Sequence, residues 1–146
     1  MLKHKLISNE SEFESFRKSV QHAGLPHQEL NHNTQILIGY YDNHELVGTG
    51  GLEILDRFAL LRSVSVSENH WNKNIGKQII SDIVANAKQS NLDAVYLLTE
   101  TAQDYFQKLG FEKVERESIP NEIKSTSQFA HVCPASAVAM VLRLRP

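Results

Sequence analysis

Val64-Ser65-Val66-Ser67-Glu68-Asn69-His70-Trp71-Asn72-Lys73-Asn74-Ile75-Gly76-Lys77 is the stretch on which the reading of this chain turns. It starts as a strand, crosses a polar segment, and opens a run in which Ile75, Ile79, Ile80, Ile83, Val84 and Ala87 recur at helical spacing. A strand–loop–helix can aim several backbone N–H groups at one point, and the helix dipole adds positive potential there. Lys73 and Lys77 add charge. Asn72, Asn74 and Gly76 are residue types that accept positive φ, as a tight anion cradle demands. The stretch therefore reads as a phosphate or pyrophosphate site. An ordinary strand-to-helix turn has the same local pattern.

Upstream, residues 2–7 read as a strand and residues 10–23 as a helix. Asn9 and Glu12 have capping-box spacing, and Gly24 is the expected stop. Phe13, Phe16, Val20 and Ala23 share one face. Pro26 begins a short helical or irregular piece carrying His27 and His32. Residues 35–41, 45–55 and 58–66 form an antiparallel meander, turned at Asp42-Asn43-His44 and at Asp56-Arg57. Gly48, Gly50 and Gly51 inside its second arm predict a bend, a bulge or a close backbone approach.

Downstream, the helix runs to about residue 90, and residues 94–98 form a short apolar strand. A strand reached through a helical crossover implies a parallel neighbour. A helix over residues 102–109 stops at Gly110. Residues 111–116 and 137–144 are the final strand pair, and the connection between them holds Pro120, Phe129 and Cys133-Pro134. With no repeat and no linker, residues 1–146 read as one α+β domain, a mixed sheet with helices on its faces.

The bulk properties set limits. The formal net charge is −2 over 146 residues, with acids and bases interspersed, which argues against a nucleic-acid surface. No apolar run reaches membrane-spanning length and no signal-peptide pattern is seen, so a cytoplasmic protein without a membrane partner is expected. The single cysteine, Cys133, excludes an internal disulfide. It reads as a buried small hydrophobe in a reducing compartment, or as a nucleophile with His131 beside it. The seven histidines show no metal spacing, and no metal is expected.

Two segments together resemble the GNAT superfamily of acetyltransferases. Val64-Ser65-Val66 and its loop resemble the family's acetyl-CoA motif, Gln/Arg-x-x-Gly-x-Gly/Ala after a valine-alternating strand. Tyr105-Phe106-Gln107-Lys108-Leu109-Gly110-Phe111 resembles its second signature, an aromatic and a short helix before Leu-Gly-Phe. Trp71 and Asn74 depart from the motif, standing where Gln or Arg and Gly are usual; Gly76 keeps its place. Within the family, Leu61-Arg62-Ser63-Val64, Tyr96-Leu97-Leu98-Thr99 and Phe129-Ala130-His131-Val132-Cys133-Pro134-Ala135-Ser136-Ala137 are similar to arsenic-resistance-type acetyltransferases. The middle segment also resembles the acetyltransferase domain of amino-acid N-acetyltransferases such as N-acetylglutamate synthase.

The resemblance implies a mostly antiparallel mixed sheet, splayed at an acetyl-CoA cleft. It implies pantetheine along Val64, Ser65 and Val66, pyrophosphate on Trp71, Asn72, Lys73, Asn74, Ile75, Gly76 and Lys77, and further cofactor contacts at Thr101 and Tyr105. The implied reaction is acetyl transfer to the amine of a small molecule or amino acid by a monomer or homodimer. A non-catalytic acyl-CoA sensor and a protein lysine or N-terminal acetyltransferase are the alternatives. Glu53 is the candidate base, or else a solvent-facing strand residue. Arg62 is a fork for an acceptor carboxylate, or else a partner of Glu53 or Asp56. Ser136 lines the acceptor pocket or merely starts a strand. Many family members carry a tyrosine general acid four residues before the signature glycine; this chain has Phe106 there.

Overall fold

The computed structural model describes residues 2–71, 74–126, 129 and 137–144. Expectations resting on Asn72, Lys73, His131, Cys133 and Ser136 lie outside the described residues. The elements run β1 (Leu2–Leu6), α1 (Glu10–His22), β2 (Ile36–Asp42), β3 (Glu45–Leu55), β4 (Phe58–Val66), α2 (Ile75–Gln89), β5 (Ala94–Thr99), α3 (Gln103–Lys108), β6 (Glu112–Lys113), α4 (Asn121–Lys124) and β7 (Val138–Arg143). The strand order in the sheet is β1-β2-β3-β4-β5-β7-β6. β1–β2, β2–β3, β5–β7 and β6–β7 are antiparallel, and β4–β5 is parallel, in line with the helical crossover. The class is the α+β mixed sheet expected.

The chain divides into two units, Met1–Glu53 with Arg62–Ile83 and Ile54–Leu61 with Val84–Pro146. In the first, the Asn9 side chain caps α1 by accepting from Glu12 N at 2.9 Å. Glu12 answers on Ser8 N at 3.1 Å, one residue before the position a capping box uses. Gly24, at φ +76°, turns the chain out of the helix. Phe16 and Val20 bury against Ile7, Leu30 and Leu37, whereas Ala23 is the exposed C-cap rather than a core residue. The piece after Pro26 folds as turns and irregular backbone. Asn43 and His44 both have positive φ, the signature of a two-residue primed hairpin turn.

Close backbone approach accounts for two of the glycines in β3. A Cβ on Gly50 would lie 2.6 Å from carbons of both Ile79 and Ile83, and one on Gly48 would lie 2.9 Å from Ile79. Helix α2 thus packs its isoleucines directly on the strand backbone.

In the second unit, Leu60, Ile119, Ile123 and Ala139 form a core edged by Phe58, Tyr96 and Phe129. The strand expected over residues 111–116 holds only at Glu112–Lys113. Arg116–Ser118 turns as a 3₁₀ helix instead, and α4 comes next. Past the strand, Val114 N still donates to Ala139 O at 2.9 Å, Arg116 Nη2 donates to Ala137 O at 2.8 Å, and the Arg116 guanidinium lies 5.1 Å over the Phe129 ring. β7 inserts between β5 and β6, a topology that sequence periodicity does not encode.

Candidate active site

The first unit carries the strand-to-helix junction. Val64, Ser65 and Val66 are half-buried at the end of β4. Just before them, Ser63 takes φ +60°, a left-handed residue inside a strand. That conformation breaks the regular pleat and re-aims the three residues after it. Buried Thr49 secures it: its hydroxyl donates to Ser63 O at 2.7 Å and also meets Ser65 Oγ. The sequence reading singles out neither Ser63 nor Thr49. Polar side chains at the turn of β4, opposite a lone threonine among glycines, are the signal that marks them.

Beyond Val66 the chain makes a 3₁₀ turn over Glu68–His70. Trp71 is 60% exposed, and its indole N–H donates to Val66 O at 2.8 Å. Trp71 therefore holds the loop onto the strand end. Asn74 has φ +60°, so asparagine supplies the left-handed residue where the family motif uses glycine. Gly76 corrects the sequence reading: it lies within the first turn of α2 and is not among the positive-φ residues. Backbone strain in the cradle sits at Asn74 alone of the pair. Helix α2 has 15 residues and no acid in its first turn, and Lys77 is there, so the positive end of its dipole is unopposed. Asn74→Gly is expected to leave acetyl-CoA affinity unchanged, whereas Asn74→Val should weaken it roughly five- to 150-fold, from about 1–3 kcal/mol of backbone strain. Isothermal calorimetry checks this; equal affinities for the two variants would contradict it.

Glu53 and Arg62 come together in the same unit. The Arg62 side chain is 1% exposed. Its Nη2 donates to Glu29 Oε1, its Nη1 lies 3.7 Å from Glu53 Oε1, and its Nε donates to Ser63 Oγ at 3.3 Å. Of the partners expected for Arg62, Glu53 is present; Glu29, from the irregular segment after α1, is an addition. Burial pushes the Glu53 carboxyl above its ordinary range, and a hydrogen bond with Gln35 pulls partly the other way.

Thr101 and Tyr105 belong to the second unit. Thr101 is exposed. Tyr105 is 41% exposed, with its ring edge-to-face against Phe106 at 5.5 Å, and burial raises its hydroxyl pKa. A separate groove of about 740 Å³ opens beside β1, lined by Lys3, Lys5, Glu12, Tyr41, His44 and Leu46 among others. Lys5 is paired with Glu12 there, and none of the expected site residues lines it. Among the described residues, no three His, Cys, Asp or Glu side chains gather as a metal set, and no helix is long and apolar enough to cross a membrane.

The β4 end leads into a helix whose first turn holds no acid, an arrangement that suits a phosphate-bearing ligand, and the half-buried Glu53 stands near Arg62 in the same unit. Residues 6–111 match the acetyltransferase (GNAT) family, and the chain belongs to that family of N-acetyltransferases. It is 30% identical over 67 residues to an amino-acid acetyltransferase from Edwardsiella ictaluri, covering 46% of this chain but only 15% of that protein. Its fold is similar to a GNAT acetyltransferase from Staphylococcus aureus, with a TM-score of 0.77, 19% identity, and 99% and 100% of the two chains covered. It is also similar to N-acetylglutamate synthase from Neisseria gonorrhoeae complexed with coenzyme A and N-acetyl-glutamate, with a TM-score of 0.77 and 13% identity over all of this chain and 36% of that one.

Proposed function

We propose that this chain, as a single domain over residues 1–146, transfers the acetyl group of acetyl-CoA to the amine of a small molecule. The observation that carries the reading is Glu53: a carboxylate raised by burial, held near Arg62 in the unit that also bears the β4–α2 junction. An amine arrives as an ammonium and must lose a proton before it attacks the thioester carbon. Glu53 takes that proton, directly or through one water. The β4 backbone at Val64 and Val66 aligns the pantetheine, and residues 72–77 receive the pyrophosphate. The family resemblance assigns Thr101 and Tyr105 to the donor and Ser136 to the acceptor. The thiolate leaves without a protein acid: a free thiol titrates near ~8.5, and Phe106 has no proton to give. The single cysteine fits a reducing, cytoplasmic setting.

Acetyl-CoA at about a hundred times its dissociation constant should stabilise the protein by roughly 2.7 kcal/mol, a rise of about 5–10 °C in Tm. A scan showing no shift, with no calorimetric heat, defeats the assignment. Thiol release from acetyl-CoA across amines, amino acids and lysine peptides then tests the reaction. Release with peptides but not with small amines would overturn the small-molecule reading.

A further inference from the structure

Arg62 is the residue an acceptor carboxylate would seek, yet its surroundings answer it from within. Glu29 accepts from its Nη2, and Glu53 stands 3.7 Å from its Nη1. The Nη1 atom and the far oxygen of Glu29, Oε2, are both sealed from solvent. Two carboxylates face one guanidinium, so the ionised trio carries a surplus negative charge. A substrate carboxylate entering here meets repulsion from two acids before it meets a cation. A substrate ammonium meets attraction, and Glu53 is the acid less tightly held by Arg62.

We infer that the acceptor is a cationic amine with no carboxylate beside its amino group, and that Glu29 is the positioning residue that enforces this by keeping Arg62 occupied. The inference rests on the acetyl-transfer reading for its chemistry and narrows the acceptor class. Glu29 acts through Arg62: with its charge removed, the guanidinium becomes available to an incoming carboxylate. A structural role for Glu29 alone would depress all acceptors alike, whereas this role changes their ratio.

The test compares matched pairs, phenethylamine with phenylalanine and tyramine with tyrosine, on wild type and Glu29→Gln. Wild type is expected to favour the decarboxylated member by at least tenfold in kcat/KM, and Glu29→Gln to shrink that preference by fivefold or more, mostly through KM. An amino acid used as well as its amine by wild type, or a ratio unmoved in the variant, overturns the inference. If Glu29→Gln does not fold, the wild-type ratios decide alone. If no amine or amino acid raises thiol release above the acceptor-free rate, the acetyl-transfer reading fails separately. Calorimetric binding of phenethylamine against phenylalanine to the CoA-saturated protein still decides the acceptor class, tighter amine binding supporting it and equal or weaker amine binding overturning it.

Discussion

Glu53→Gln is expected to lower kcat by about 10²–10⁴, the loss typical of removing a general base, with acetyl-CoA affinity unchanged. Glutamine keeps the shape and the hydrogen bond with Gln35 but cannot take a proton. Only the ionised carboxylate is a base, so wild-type kcat/KM should fall as pH drops through the Glu53 pKa. Burial raises that pKa above the ordinary 4.5 of a glutamate, so the acid limb begins at higher pH than for an exposed side chain. Stability moves the other way. A carboxyl with a higher pKa folded than unfolded contributes stability at low pH and loses it as pH rises through the folded value. Glu53→Gln lacks that dependence, so the stability difference should shift in the variant's favour as pH rises. Pre-steady-state kinetics, a pH–rate profile and melts at several pH values check these together. Near-wild-type turnover in Glu53→Gln would remove Glu53 from the mechanism.

The parts of the fold that sequence renders well are those with strong local punctuation. β3 and β4 run Glu45–Leu55 and Phe58–Val66, as expected from their turns, because Asn43, His44 and Asp56 all adopt the positive φ that ends a strand sharply. Helix α2 begins at Ile75 because its isoleucines recur on one face and Ile75, Ile79, Ile80 and Ile83 are all buried. Sequence fails where geometry depends on distant partners. β6 stops after Lys113, and beyond it Arg116 contacts Ala137 and Phe129, residues far along the chain. Nothing local predicts that contact.

The site divides in the same way. The motif and the chemistry of asparagine both place Asn74 at positive φ, and it is there. The same grounds favour positive φ at Gly76, yet it is helical, because a glycine permits positive φ without requiring it. Ser63 escapes a sequence reading because serine rarely takes φ +60°; Thr49 and Ser65 supply the bonds that hold it. Glu29 escapes it because it sits 33 residues before Arg62 in a segment without periodicity. An arginine in an apolar strand announces that a partner exists, but the partner is chosen by the fold.

Gly50→Val is expected to destabilise the protein by about 1–3 kcal/mol, the usual cost of overpacking a filled core, and so to lower Tm by roughly 2–12 °C. The first added atom alone meets Ile79 Cγ2 and Ile83 Cδ1 at 2.6 Å, well inside contact distance. Both isoleucines are at most 1% exposed, so neither has solvent to move into. The helix must therefore shift or the side chains must leave their rotamers. The valine γ carbons add to this. A shift of α2 carries its first turn with it, so acetyl-CoA affinity should fall as well. Truncating the obstacle separates packing from any other effect: Ile79→Ala removes the Cγ2 that a new Cβ strikes. Alone, that variant leaves a cavity and costs about 2–5 kcal/mol. Combined with Gly50→Val, the two losses should fall short of their sum by about 0.5–3 kcal/mol. A strictly additive double mutant, measured by chemical denaturation, would show that Gly50 is not there for the close approach of α2.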